Sequence, residues 1–270
     1  MRRCVALLVV VPLGLLGCGR EGPEQDSPEV AEAPTPREEA TSERVAPAAP
    51  QEQPSPEAVE PAAPALPTLA QLEQALRDEN PRRRLEAVWS LPKRDDLPAP
   101  ERARLLLEAL EGEISEPTTG PPVTEGAYLP ASDFLKLHYT RTLGALGPEA
   151  IDSLREATAS DKPEVRARAF LALGYAGQHD VIPQLRELLR TSEHWQVRND
   201  AAFLLGELRA REAVPELKEA LRDSYKIIDE INGRRHEFYP VRQQAQGALK
   251  QLGFTIERGE GVDEFRVLGP

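Results

Sequence analysis

The chain reads as an all-α, right-handed solenoid of about five helical pairs, with small C-terminal β-hairpins. Two observations carry this reading. Val165-Arg166-Ala167-Arg168-Ala169-Phe170-Leu171-Ala172-Leu173-Gly174 is written again, 32 positions later, as Val197-Arg198-Asn199-Asp200-Ala201-Ala202-Phe203-Leu204-Leu205-Gly206. A third copy runs from Val241-Arg242-Gln243-Gln244-Ala245 to Leu249, and weaker ones start at Arg83 and Leu135. A fixed period in this range marks a stack of like units.

The N-terminal region has a different grammar. Arg2 and Arg3 precede an apolar run from Val5 to Leu16, then Gly17-Cys18. A basic start, a short hydrophobic core and a small residue predict an export signal over residues 1–17, too short to span a bilayer. Residues 18–67 hold eleven prolines among Glu, Ala and Ser. Such a segment buries too little apolar surface to offset its ordering entropy, which predicts a disordered acidic tether. It carries eleven acidic residues against three basic ones, two-thirds of the formal −12 of the chain. The part from 68 to 270 is therefore only mildly acidic. That balance argues against nucleic acid, whose binders concentrate Lys and Arg on one face.

Helical periodicity takes over at Leu69, where Leu69 to Leu76 predict an N-terminal capping helix. In the repeats, Val165, Val197 and Val241 are followed four residues on by Ala169, Ala201 and Ala245, and eight on by Leu173, Leu205 and Leu249. Spacings of four place these on one helical face. The alanine is small where a neighbouring helix approaches. Gly144, Gly174 and Gly206 are expected to close their helices in the left-handed conformation. A second helix follows each, with Pro148, Pro183 and Pro215 near its start. Its inward residues are Ile151 and Leu154, then Ile182, Leu185 and Leu189, then Val214, Leu217 and Leu221. Neither helix covers its apolar face alone; stacking does.

Two segments interrupt the pattern. Ile114 to Pro130 reads as a Gly-, Pro- and Thr-rich loop. Tyr225 to Tyr239 lengthens one unit, with Asn232-Gly233 as a hairpin turn signal between β-branched and aromatic residues. The competing reading extends the preceding helix through Ile228 and Ile231 to Gly233. Phe254 to Arg258 and Val262 to Val267 flank a glycine turn and predict a second hairpin, which would cover the open end of the stack. Tyr225, Phe238, Tyr239 and Phe265 are expected to pack these hairpins onto the last helices, the alternative being an interaction patch.

An arginine recurs near the start of most units: Arg84, Arg166, Arg198 and Arg242, with Lys136 in the remaining one. These are read as a structural ladder, each guanidinium bonding carbonyls or an acid such as Asp200. The alternative is an anion- or partner-binding stripe. Among His138, His179, His194 and His236 no two stand three or four apart, so no helical metal site is predicted. Phosphate-cradling loops and nucleophile elbows are absent. Glu108, Glu111 and Glu113 read as a solvated helix face. No catalytic residue, cofactor or metal site is assigned.

Two resemblances add to this reading. Leu15-Leu16-Gly17-Cys18 resembles the lipobox of bacterial lipoproteins. The resemblance implies cleavage before Cys18, diacylglycerol on its thiol and a lipid anchor in the cell envelope; each buried methylene adds about 0.8 kcal/mol to such an anchor. Gly19, which is not aspartate, favours the outer membrane by analogy with enteric lipoproteins. The repeats over 145–253, and less strongly 69–144, resemble HEAT-type repeats, most closely the short variety named after phycobilisome lyases. Among HEAT-type enzymes, deoxyhypusine hydroxylase binds iron through several His-Glu pairs. Here only His236-Glu237 exists, inside the insertion. The expected function is a monomeric, lipid-anchored envelope scaffold that holds a protein partner. The alternatives are a HEAT-type lyase or oxidoreductase-like enzyme, or a purely structural spacer.

Overall fold

The structure is a computed structural model; it describes residues 66–270 except 121, 122, 124–128, 232, 233, 260, 262, 263 and 270. The expected signal at 1–17, the lipidated Cys18 and the tether up to residue 65 lie outside the described residues.

The first helix of the described residues is α1 (Leu69–Leu76), where Thr68 and Gln71 form a reciprocal cap: each side chain accepts the other's backbone N–H, at 3.3 and 2.7 Å. α2 (Pro81–Ser90) starts on the Asn80 side chain, which accepts the Arg82 N–H at 2.9 Å. The remaining helices are α3 (Ala99–Ser115), α4 (Ala131–Ala145), α5 (Ile151–Ala157), α6 (Pro163–Tyr175), α7 (Ile182–Thr191), α8 (Trp195–Glu207), α9 (Val214–Ala220) and α10 (Pro240–Gln251). Thus α3 absorbs Ile114, which the sequence placed in a loop.

α2, α4, α6, α8 and α10 pack on one another in that order as a first layer, backed by α3, α5, α7 and α9. This is the expected HEAT-like solenoid. Four units have both helices; the fifth has α10 alone, followed by a hairpin. α5, α7 and α9 are short, and each is entered through a single 3-10 turn: Pro148–Ala150, His179–Val181 and Arg211–Ala213. Between the layers Val165, Val197, Val241, the three repeat alanines and Leu173, Leu205 and Leu249 are buried, as are Leu154, Leu185 and Leu217. Each buried leucine contributes about 1.5–3 kcal/mol.

The glycines need a correction. Gly144, Gly174 and Gly206 are helical, not left-handed. The left-handed residues stand three positions later: Gly147 (φ 90°), Gly177 (φ 77°), Arg209 (φ 55°) and Gly253 (φ 93°). At three of these, bonds from Gln178 N to Leu173 O, Ala210 N to Leu205 O and Phe254 N to Leu249 O, 3.0 Å each, close the helix end. The earlier glycines serve close approach. A Cβ on Gly144 would strike Tyr175 Cβ and stand 2.7 Å from Ala172 O; one on Gly206 would stand 2.8 Å from Ala248 Cα. The final unit carries Lys250 at this position, and among the described residues no helix follows α10.

The insertion is a hairpin and not a helix extension: β1 (Ile227–Ile231) pairs antiparallel with β2 (Arg234–Phe238). A second hairpin pairs β3 (Thr255–Arg258) with β4 (Phe265–Leu268). The two behave differently. Phe254, Ile256, Phe265 and Val267 of the second pack against the core. In the first, Phe238 is 45% and Ile228 51% exposed. The expectation that its aromatic residues pack onto the last helices therefore fails for Phe238, which is not among the described side chains packed against the shared core.

Candidate functional site

Arg166 donates to Ser160 O and Asp161 O, at 2.7 and 3.0 Å. Arg198 repeats this with Ser192 O and Glu193 O, at 2.8 and 3.1 Å. Each guanidinium thus ties down the loop entering its own helix. Arg198 also grips Asp223 with two bonds, 2.6 and 3.1 Å, and Arg242 donates to the Asp223 carbonyl at 2.6 Å beneath the Tyr239 ring. Arg84 bonds Thr118 and, at 2.9 Å, Glu113. Glu113 is buried and also accepts the Thr118 N–H at 2.7 Å, so it does not belong to a solvated face. Lys136, the fifth member, meets Glu164 at 3.3 Å and Asp133 at 3.5 Å.

Asp200 is not taken by this row. Its partner is Arg141, whose Nη2 donates to Asp200 Oδ1 at 3.3 Å from α4 across α6 to α8. On the way Arg141 Nε donates to the Tyr175 hydroxyl at 3.1 Å. Packed helix axes stand about 8–10 Å apart, so α4 and α8 are about two such steps apart, and the Arg141 side chain links them across the surface of α6.

Aromatic side chains line the same surface. Trp89 on α2, 45% exposed, donates Nε1–H to His138 Nδ1 at 3.1 Å, with the rings edge-on at 5.2 Å. Phe134 lies 4.5 Å from His138. The Arg141 guanidinium stands 5.7 Å from the Tyr175 ring, and Phe203 is 6.1 Å beyond Tyr175. At the helix starts Trp195 stacks on Tyr225, 4.5 Å apart and 9° from parallel.

The electrostatics are arranged in closed pairs. Burial, then the Arg141 charge, pushes the His138 imidazole down to about 4. It is neutral near pH 7, and because Nδ1 accepts from Trp89, its proton sits on Nε2. Burial works against the Glu164 charge, yet Arg168 and Lys136 outweigh it and hold the carboxyl below its usual range. Arg168, fully buried, bonds Glu164 at 3.0 and 2.9 Å and Thr140 at 3.3 Å. Burial, then Asp200, pushes the Tyr175 hydroxyl up. Among the described residues no group of three or more His, Cys, Asp and Glu is placed to hold a metal ion.

The sequence did not single out Trp89, Arg141 or Tyr175. A usable signal existed. Counted from the ladder, His138, Arg168 and Asp200 occupy one repeat position, and Trp89, Arg141 and Phe203 another. Leu171 shares the second position, and it is buried like Arg168 and Asp200, so what the comparison shows is that both positions vary between units.

Family comparison matches HEAT repeats over residues 131–206 and the PBS lyase HEAT-like repeat over 197–223. HEAT-like repeats thus run through the central part of the chain. A comparison with curated proteins gives no match. Among solved structures, the chain is similar to one in the complex of CpcE and CpcF of phycocyanin lyase from Nostoc sp. PCC7120. That likeness has 22% identity and a TM-score of 0.39, over 74% of this chain and 70% of that one.

Proposed function

We propose that this chain, with HEAT-like repeats at its centre, is a non-catalytic protein-binding scaffold that engages a partner on the outer surface of its first helix layer. The observation that carries this is the surface set of Trp89, Phe134, His138 and Arg141, extended by Tyr175 and Phe203. Trp, Tyr and Arg are the residues that dominate binding energy at interfaces, and here a half-exposed Trp and Arg are pinned by their neighbours before any partner arrives. Their side chains lose little freedom on binding.

The scaffold works in the bacterial cell envelope, held by lipid on Cys18 at the outer membrane. Support for this comes from the Leu15-Leu16-Gly17-Cys18 motif and the preceding basic and apolar segments. Among the described residues no helix is long and apolar enough to cross a membrane.

Photocrosslinking in cells tests the reading. A benzoylphenylalanine placed at Trp89 or Phe203 is expected to capture a discrete partner, and one at exposed Arg190 on α7 is not. Equal capture from all three positions, or from none, overturns it. For the anchor, Cys18→Ser is expected to move the protein from the membrane to the soluble fraction; unchanged partitioning removes lipidation.

A further inference from the structure

The partner's chemistry can be taken further, on the premise that this outer surface of the first layer is the binding surface. His138 and Arg141 stand one turn apart on α4, where side chains three apart are neighbours. Each has its inward-facing atoms engaged. His138 Nδ1 holds the Trp89 indole N–H, and Arg141 uses Nε on Tyr175 and Nη2 on Asp200. Among the described residues neither His138 Nε2–H nor Arg141 Nη1 has a protein acceptor, and neither atom is sealed from solvent. Two N–H donors of adjacent side chains are therefore left without a protein acceptor and in reach of solvent.

The charge on this spot is one-sided. The Arg141 side chain is 41% exposed, whereas its counter-ion Asp200 is 1% exposed. A partner meets the guanidinium and not the carboxylate. Of the other carboxylates of the layer, Asp133 is engaged with Lys136, Glu164 with Lys136, Arg168 and His194, and Glu207 with Gln251, while Glu86 on α2 is exposed. The charge that acts on His138 is that of Arg141 alone. On either side stand apolar rings, Trp89 and Phe134 next to His138, and Tyr175 and Phe203 next to Arg141.

We infer that this spot receives the side-chain carboxylate of an acidic residue in the partner, flanked by aromatic or aliphatic neighbours, with one oxygen on His138 Nε2–H and the other on Arg141 Nη1. Two fixed donors match the two oxygens of a carboxylate, and hydrogen bonds to an ionised acceptor are about twice as strong as neutral ones. A backbone carbonyl offers one oxygen and no charge. A rim of rings shields the pair from water, as at the centres of protein interfaces.

The experiment uses the full chain, 15N-labelled, and the peptide acetyl-Ala-Phe-Glu-Phe-Ala-amide, with its Gln counterpart as the uncharged isostere. The chain has two tryptophans, Trp89 and Trp195, so the indole N–H signals separate this spot from the stack with Tyr225. The Glu peptide is expected to shift the Trp89 indole and His138 Nε2 signals saturably, binding roughly tenfold tighter than the Gln peptide. The Trp195 signal stays in place. The pair Arg141→Leu with Asp200→Leu leaves no buried charge behind and is expected to abolish the preference for Glu. Equal affinity for the two peptides overturns the carboxylate assignment, as do shifts confined to Trp195 or no shift at 10 mM peptide. If crosslinking from Trp89 still captures a partner in that case, the scaffold reading stands and the recognised group is a neutral one. If crosslinking also fails, the binding face itself is wrong.

Discussion

Arg141 and Asp200 are 59 residues and two repeat units apart, yet their side chains meet at 3.3 Å, with Asp200 fully buried and its Oδ2 without a hydrogen-bond partner among the described residues. The pair is a strut that ties α4 to α8 across α6. Removing Arg141 alone leaves a buried carboxylate with no counter-charge.

Arg141→Leu should therefore destabilise the fold by about 2–3 kcal/mol, below the range for a wholly buried pair because Arg141 is partly solvated. The double variant Arg141→Leu with Asp200→Leu should regain most of that loss, since neither charge then needs a partner. Urea denaturation of the wild type, both single variants and the double variant gives the coupling directly. Additive single effects would remove the strut.

The glycines predict opposite signs at two places in one fold. At Gly144 and Gly206 a Cβ collides with the backbone of the next helix, Ala172 O and Ala248 Cα respectively. Alanine at either should cost more than 2 kcal/mol, because rigid backbone has to move. Gly247 is also helical, within α10, but a Cβ there meets nothing within 4 Å. Gly247→Ala should stabilise by about 0.5–1 kcal/mol through helix propensity. Thermal unfolding of the three variants separates the cases; a loss at Gly247 or a gain at Gly206 would contradict the packing argument.

What the sequence made legible follows from which contacts repeat. The Val-Ala-Leu spacing at 165, 169 and 173 encodes contacts every unit makes, so the solenoid and its two layers were readable. The Asn232-Gly233 signal correctly chose hairpin over helix because turn chemistry is local. The glycine role was misassigned: Gly174 and Gly177 both sit near the helix end, and only the neighbour's position tells which one turns and which one makes room. The burial of Glu113 follows from Arg84 and Thr118 closing over it, a contact made in that unit alone. Arg141–Asp200 was hidden for a deeper reason. It joins non-equivalent repeat positions two units apart, a relationship that no single unit expresses.

The arginine ladder gives a graded prediction. Arg166 ties two carbonyls, while Arg198 ties two carbonyls and the Asp223 carboxylate. Arg166→Ala should cost about 1–2 kcal/mol, and Arg198→Ala about 1–2 kcal/mol more, because a charge-assisted bidentate pair goes with it. Hydrogen exchange of the loops at 160–162 and 192–194 should rise in the matching variant only. Exchange unchanged at both loops would mean that the arginines do not anchor them.

His138 makes stability depend on pH in a window set by its two protonation equilibria. An exposed histidine titrates near 6.5, whereas burial and Arg141 push His138 down to about 4 in the folded chain. Between those values the unfolded chain binds a proton that the folded chain refuses. The contribution is fully present above 6.5 and is lost as pH falls toward 4. Protonation also requires Nδ1 to give up the Trp89 indole bond, which ties the change to the aromatic face. Lowering pH from 7 to 5 should cost about 2 kcal/mol from this residue, a window chosen above the range where most carboxylates titrate. His138→Phe keeps a ring against Phe134 and carries no titrating group, so its urea midpoint should fall less than that of the wild type over the same interval. Parallel pH curves for the two proteins would show that the imidazole is solvated and free to charge, and that the face is more open than the Trp89–His138 contact requires.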